Sequence, residues 1–102
     1  MIQALNGVGT TSNLLEWTKS NAYQRPTQTD DGNGYVTSAT VLWPDGSTGV
    51  YTSLVKNQTF GVADSYSVTY VRPGLPTVTI TQPLVTRNAN GVVTVAPNLT
   101  VV

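Results

Sequence analysis

The stretch that most constrains this chain is Tyr35 to Val55, YVTSATVLWPDGSTGVYTSLV. Tyr35, Thr37, Ala39, Val41 and Trp43 fall on one side of a period-two pattern, and Val36, Ser38, Thr40 and Leu42 on the other. β-Branched and aromatic residues in that period belong to a pleated strand, because successive side chains of a strand point to opposite faces. Pro44-Asp45-Gly46 follows: proline presets φ, aspartate accepts from its own backbone, and glycine takes positive φ without steric cost. Thr48 to Val55 alternates again, so the sequence predicts an antiparallel hairpin with a three-residue loop and a glycine bulge.

Further runs extend the sheet. Ser65 to Val71 sets Tyr66, Val68 and Tyr70 against Ser67, Thr69 and Val71, and Pro76 opens a run in which Val78 and Ile80 oppose Thr77, Thr79 and Thr81. Phe60 and Val62 are expected to tie the intervening connection to the core. Leu84 to Arg87 and Val92 to Val95 flank Asn88-Ala89-Asn90-Gly91, where Asn90-Gly91 suits the two central positions of a type I′ turn. Leu99 to Val102 supplies a last strand or a tail. The expected class is all-β: a small antiparallel β-sandwich or partly open barrel over residues 35–102, immunoglobulin-like in character although the cysteine and tryptophan spacing of true immunoglobulin domains is absent. The Thr-Val runs also fit a second arrangement, an intertwined fibre module.

Residues 1–34 read as an irregular N-terminal arm. Ser12 to Lys19 can form one or two helical turns capped by Ser12 or Asn13, with Glu16 as capping-box partner. Such a helix is too short to stand alone. Arg25 to Gly34 is a polar loop. An exposed tryptophan in an arm is costly, so Trp17 is expected to dock on the domain or on a neighbouring subunit, and Ile2, Leu5, Leu14 and Leu15 must also bury apolar area if the arm is ordered. Leu14, Leu15, Trp17 and Tyr23 are therefore the candidate assembly contacts of a homo-oligomer, a dimer or trimer, within a larger protein assembly.

Five basic and five acidic residues leave no net charge. That gives no electrostatic case for binding nucleic acid or an anionic membrane surface. Without cysteine or histidine there is no thiolate chemistry and no imidazole proton shuttle. No run of apolar residues is long enough for a membrane-spanning helix, and the start MIQALNGVGTTSN lacks the pattern of a secretory signal. Asn57-Gln58-Thr59 and Asn98-Leu99-Thr100 match the glycosylation sequon as chance matches in a threonine-rich chain.

Candidate chemistry is sparse. Asp30-Asp31-Gly32-Asn33 lacks the spacing and the distant glutamate of a calcium loop and reads as an Asx-type turn. Gly7-Val8-Gly9 does not follow a strand and makes no phosphate cradle. Glu16, Asp30, Asp31, Asp45 and Asp64 each sit in a turn or lead-in, so no pair faces across a scissile bond, and a serine or threonine nucleophile would lack its histidine base. The expectation is a protein with no enzymatic activity, no cofactor and no metal. Trp43, beside an exposed turn with Asp45 nearby, and Tyr51 form the one ligand platform the residues suggest, for a surface glycan; the competing assignment makes Trp43 a core residue shielding the hairpin.

Gly34 to Gly49, then Ala63 to Tyr70, then Thr81 to Arg87 resemble small β-rich accessory domains of virion proteins in tailed bacteriophages and their prophages. The resemblance implies a structural role in a capsid decoration, tail or fibre, often as an oligomer, located in the virion after synthesis in the host cytoplasm without a secretory signal. It carries over no catalytic residue. The alternative is a carbohydrate-binding or host-surface-binding β-sandwich module.

Overall fold

The structure is a computed structural model that describes residues 11–102; the expectations for Ile2, Leu5 and Gly7-Val8-Gly9 fall outside those residues. The described chain is an all-β domain of antiparallel sheets in a sandwich-like arrangement, with one short helix. Helix α1 (Thr11–Lys19) precedes β1 (Gln28–Asp30), β2 (Val36–Leu42), β3 (Thr48–Asn57), β4 (Val62–Tyr70), β5 (Val78–Gln82), β6 (Thr86–Arg87), β7 (Val93–Val95) and β8 (Thr100–Val101). Six strands form one sheet in the order β1-β2-β3-β4-β5-β8, and β6 and β7 pair separately. Most of the large sheet is thus a meander of neighbours joined by hairpins, to which β8 returns along β5.

The register turns the alternation into two unlike faces. One row runs Gln28, Ala39, Tyr51, Val68, Ile80, Val101 across the six strands. Ala39, Tyr51, Val68 and Ile80 are buried there with Val41, Trp43, Tyr70 and Leu14 of α1. The adjacent row on the opposite face runs Thr29, Ser38, Thr52, Ser67, Thr81, Thr100, a hydroxyl on every strand. The β-branched threonines keep strand propensity there, and none of the six residues is buried.

At the first hairpin, the Trp43 amide donates to Ser47 O and the Gly46 amide donates to Trp43 O, with Gly46 at φ 86° and Asp45 Oδ1 accepting from the Ser47 amide at 2.9 Å. This is the expected three-residue loop. The second hairpin closes the same way: the Asn88 amide donates to Val92 O, the Gly91 amide donates to Asn88 O, and Gly91 has φ 82°. The expected type I′ turn is therefore corrected, because Asn90 does not take positive φ; Asn88 Oδ1 instead accepts from the Asn90 and Val92 amides. Between β3 and β4, Asn57 Oδ1 accepts from the Thr59 and Phe60 amides at 3.0 Å. Phe60 and Val62 remain exposed, and Phe60 lies over Gly91, where a Cβ would come within 2.9 Å of its ring.

Gly49 marks a close approach of two strands. A Cβ at this position would lie 1.9 Å from Thr69 O, so only a hydrogen fits between β3 and β4. The same Thr69 carbonyl accepts Trp43 Nε1 at 2.9 Å, which satisfies the indole donor that burial would otherwise strand.

The N-terminal segment belongs to this domain. β1 is an edge strand of the six-stranded sheet, Leu14 is 1% exposed, and α1 contacts β5. The expected boundary at residue 34 is thereby corrected, since it would divide a paired sheet and remove part of its core. Thr11 is already helical, so the Ser12 and Asn13 expected to cap the helix lie inside it. It stops at Asn21, which takes φ 53°, while the Asn21 amide donates to Thr18 O and the Ala22 amide donates to Trp17 O. That bonding is the Schellman arrangement with asparagine in the left-handed position.

Candidate functional site

After α1, the lead-in is fixed by a two-way backbone bridge in which the Gln24 amide donates to Leu42 O and the Leu42 amide to Gln24 O. Extended chain on either side of Gln24 directs Tyr23 and Arg25 alike, and Pro26 disfavours helical backbone at Arg25. Tyr23 packs on Trp43, with ring centroids 5.1 Å apart, and the Arg25 guanidinium lies 5.5 Å from the Tyr51 ring centre. Tyr51 and Tyr66, from facing strands, stack at 5.4 Å with 15° between planes. Tyr35 hydrogen-bonds Ser53 Oγ, and Lys56 Nζ lies 4.8 Å above its ring. The inner face beyond the helix therefore carries Tyr23, Tyr35, Tyr51 and Tyr66 around Arg25.

Tyr51 is 8% exposed, whereas the other three rings are half-buried. The hydroxyls of Tyr23, Tyr51 and Tyr66 make no hydrogen bond among the described residues. Burial first, then the nearby Tyr66 phenol, pushes the Tyr23 pKa up to about 12 against an opposing pull from Arg25. Burial raises Tyr51 and Tyr66 as well. At neutral pH these phenols are hydrogen-bond donors and acceptors, and none is poised as a base. Among the described residues Arg25 has no carboxylate partner; the two ion pairs are Lys56 with Asp31 at 2.9 Å and Arg87 with Asp64 at 2.6 Å.

The residues singled out from sequence divide among three places. Trp43 is 2% exposed, enclosed by Trp17, Tyr23 and Tyr70. It offers no open ring to a sugar and takes the core role. Asp45 lies in the first turn, accepting from the Tyr70 hydroxyl and the Ser47 amide; burial works to raise its carboxyl and these bonds outweigh it, leaving it below the usual carboxylate range. Only Tyr51 joins the phenol cluster. Leu14, Trp17 and Tyr23 pack against the domain's own core, and Leu15 is half-buried on the same helix.

The other aspartates are engaged locally. Asp31 Oδ1 accepts from the Asn33 and Tyr35 amides and Asp30 Oδ2 from the Gly34 amide, the expected Asx-type turn. The hydrogen bond from Lys56 holds Asp31 below its ordinary value, and that from Arg87 does the same for Asp64. No set of three potential metal ligands gathers among the described residues, and no helix there is long and apolar enough to cross a membrane. A separate cleft of about 240 Å³ lies across the lead-in, lined by Ala22, Gln24, Leu42, Trp43, Pro44 and Gly46. Comparison with family models, curated proteins and solved structures returned no match.

Proposed function

We propose that this chain is a non-enzymatic structural component of a virus particle, acting through protein–protein contacts made at the end of the sheet that carries the β6–β7 hairpin. The observation that supports the contact mode is the concentration of exposed apolar side chains at that end: Phe60 and Val62 beside the β3–β4 turn, and Val92, Val93 and Val95 on the hairpin. The end is braced and does not swing freely. Arg87 bonds Asp64 and donates Nη1 to Gly91 O, the Val85 amide donates to Asp64 O, and Phe60 lies over Gly91. A rigid ribbon with exposed valines loses little entropy on docking, and its apolar area is the kind that association removes from water. The particle setting is supported by the resemblance of the strand and turn sequences to phage accessory domains.

This reading moves the assembly contact away from Leu14 and Trp17. Removing residues 1–33 would strip α1 and β1 from the domain, so truncation cannot test assembly without unfolding. The test is sedimentation of the full chain beside the double variant Val93→Asp, Val95→Asp, from micromolar to millimolar concentration and with candidate phage particles. Self-association or particle binding lost in the variant is expected. A wild-type chain that stays monomeric throughout and leaves the particles unoccupied refutes the reading.

A further inference from the structure

The geometry points to a binding site for an acidic saccharide on the cluster of Tyr23, Arg25, Tyr35, Tyr51 and Tyr66, with the sugar carboxylate on Arg25 and a pyranose ring against the half-buried rings of Tyr23, Tyr35 and Tyr66. The site goes beyond the assembly reading and uses a different part of the surface.

Three features carry it. The first is supply without demand: three phenol hydroxyls stand at one place with no protein partner among the described residues, and each can both donate to and accept from a sugar hydroxyl. The second is a guanidinium without a counter-ion. Arg25 lies over the Tyr51 ring and not against a carboxylate, so its planar fork is available for two-point pairing with a carboxylate of the ligand. The nearby Lys56 is already neutralised by Asp31, which leaves Arg25 as the local positive charge.

The third feature is preorganisation. Tyr51 is held by Tyr66 and Arg25, Tyr35 is tethered to Ser53, and Tyr23 is wedged on Trp43. Little rotamer freedom remains to be lost when a ligand binds. A sugar ring presents C–H bonds on its faces and hydroxyls at its rim, which matches half-exposed rings bordered by phenol oxygens. A nucleic acid is disfavoured because one unpaired cation cannot follow a row of phosphates. A neutral glycan would leave the guanidinium unused.

The test is an array of acidic and neutral glycans probed with the full chain, followed by titration of the isotope-labelled protein with trigalacturonate and, separately, maltotriose. The expected result is retention of uronate- or sialate-bearing glycans and amide shifts at residues 24–26, 51 and 66 with trigalacturonate. Arg25→Gln should weaken trigalacturonate binding about tenfold or more with only a small loss of thermal stability, because Arg25 is exposed and gives up a contact with the Tyr51 ring but no ion pair among the described residues. Tyr66→Ala should reduce it further. Absence of acidic glycans among those retained, equal binding of maltotriose, or an affinity that Arg25→Gln leaves unchanged overturns the proposal. Because Val93 and Val95 are not involved, the outcome is independent of the assembly test.

Discussion

The two faces of the six-stranded sheet share one backbone and similar strand propensity, yet they contribute very differently to the fold. On the inner face the register aligns Ala39, Tyr51, Val68 and Ile80 beneath α1 and places Trp43 among Trp17, Tyr23 and Tyr70. On the outer face the next row is serine and threonine on all six strands. Alternation specifies that the faces differ. Which side acquires a second layer is decided by distant residues, chiefly Leu14 and Tyr23, that a period-two pattern does not mention.

If that division is right, substitutions should have effects ordered by face. Gly49→Ala is the severest, because its methyl would collide with the Thr69 carbonyl at 1.9 Å and that carbonyl also holds the Trp43 indole. A loss of more than about 4 kcal/mol, or failure to fold, is expected; a denaturant midpoint near the wild-type value would mean that β3 and β4 are not so closely apposed. Trp43→Ala should cost about 3 to 5 kcal/mol. With Trp17 replaced by phenylalanine, Trp43 emission should be blue-shifted and resist acrylamide, and ready quenching would place the indole outside the core.

A smaller loss is expected at alkaline pH. The Tyr23 pKa is raised in the folded state, so its stabilising contribution is complete below the ordinary tyrosine value of about 10 and disappears as pH rises through its folded value of about 12. Denaturation at a series of pH values should show stability falling across that window, and Tyr23→Phe should flatten the fall. Thr18 provides the opposite sign. Its Oγ1 is buried on α1 without a hydrogen-bond partner among the described residues, so Thr18→Val should raise stability by about 1 kcal/mol, read as a shift of the denaturant midpoint. On the outer face Thr52→Val should stay within about 0.5 kcal/mol of wild type; a loss as large as that of Trp43→Ala would mean this face is also covered.

The strands were legible because each carries its own alternation, and the first hairpin because Pro44, Asp45 and Gly46 act locally. The asparagines are readable in principle, but their local sequence also fits other roles. Asn57 fell within a sequon match, yet its amide shapes the β3–β4 turn and its Nδ2 bonds Asp64; Asn90 suggested a type I′ turn that Asn88 organises differently. Asn21, a short polar residue just past an apolar helix segment, is a recognisable stop signal. The phenol cluster was legible only in part. Tyr35, Tyr51 and Tyr66 each have a definite parity, but three separate parities do not say whether the strands share a face, and Tyr23 and Arg25 reach the site through a backbone bridge with no sequence signature.

The contact between α1 and β5 bears on the order of folding. The strands from β1 to β5 can pair through short-range hairpins, each closing a small loop, whereas Leu14 joins a core whose Ile80 lies at the far end of that succession. Loop-closure entropy disfavours so distant a contact until the intervening hairpins have formed. During synthesis the helix segment therefore emerges before the sheet and secures its surface late, keeping Leu14 and Trp17 available to solvent or chaperones while the sheet is assembled.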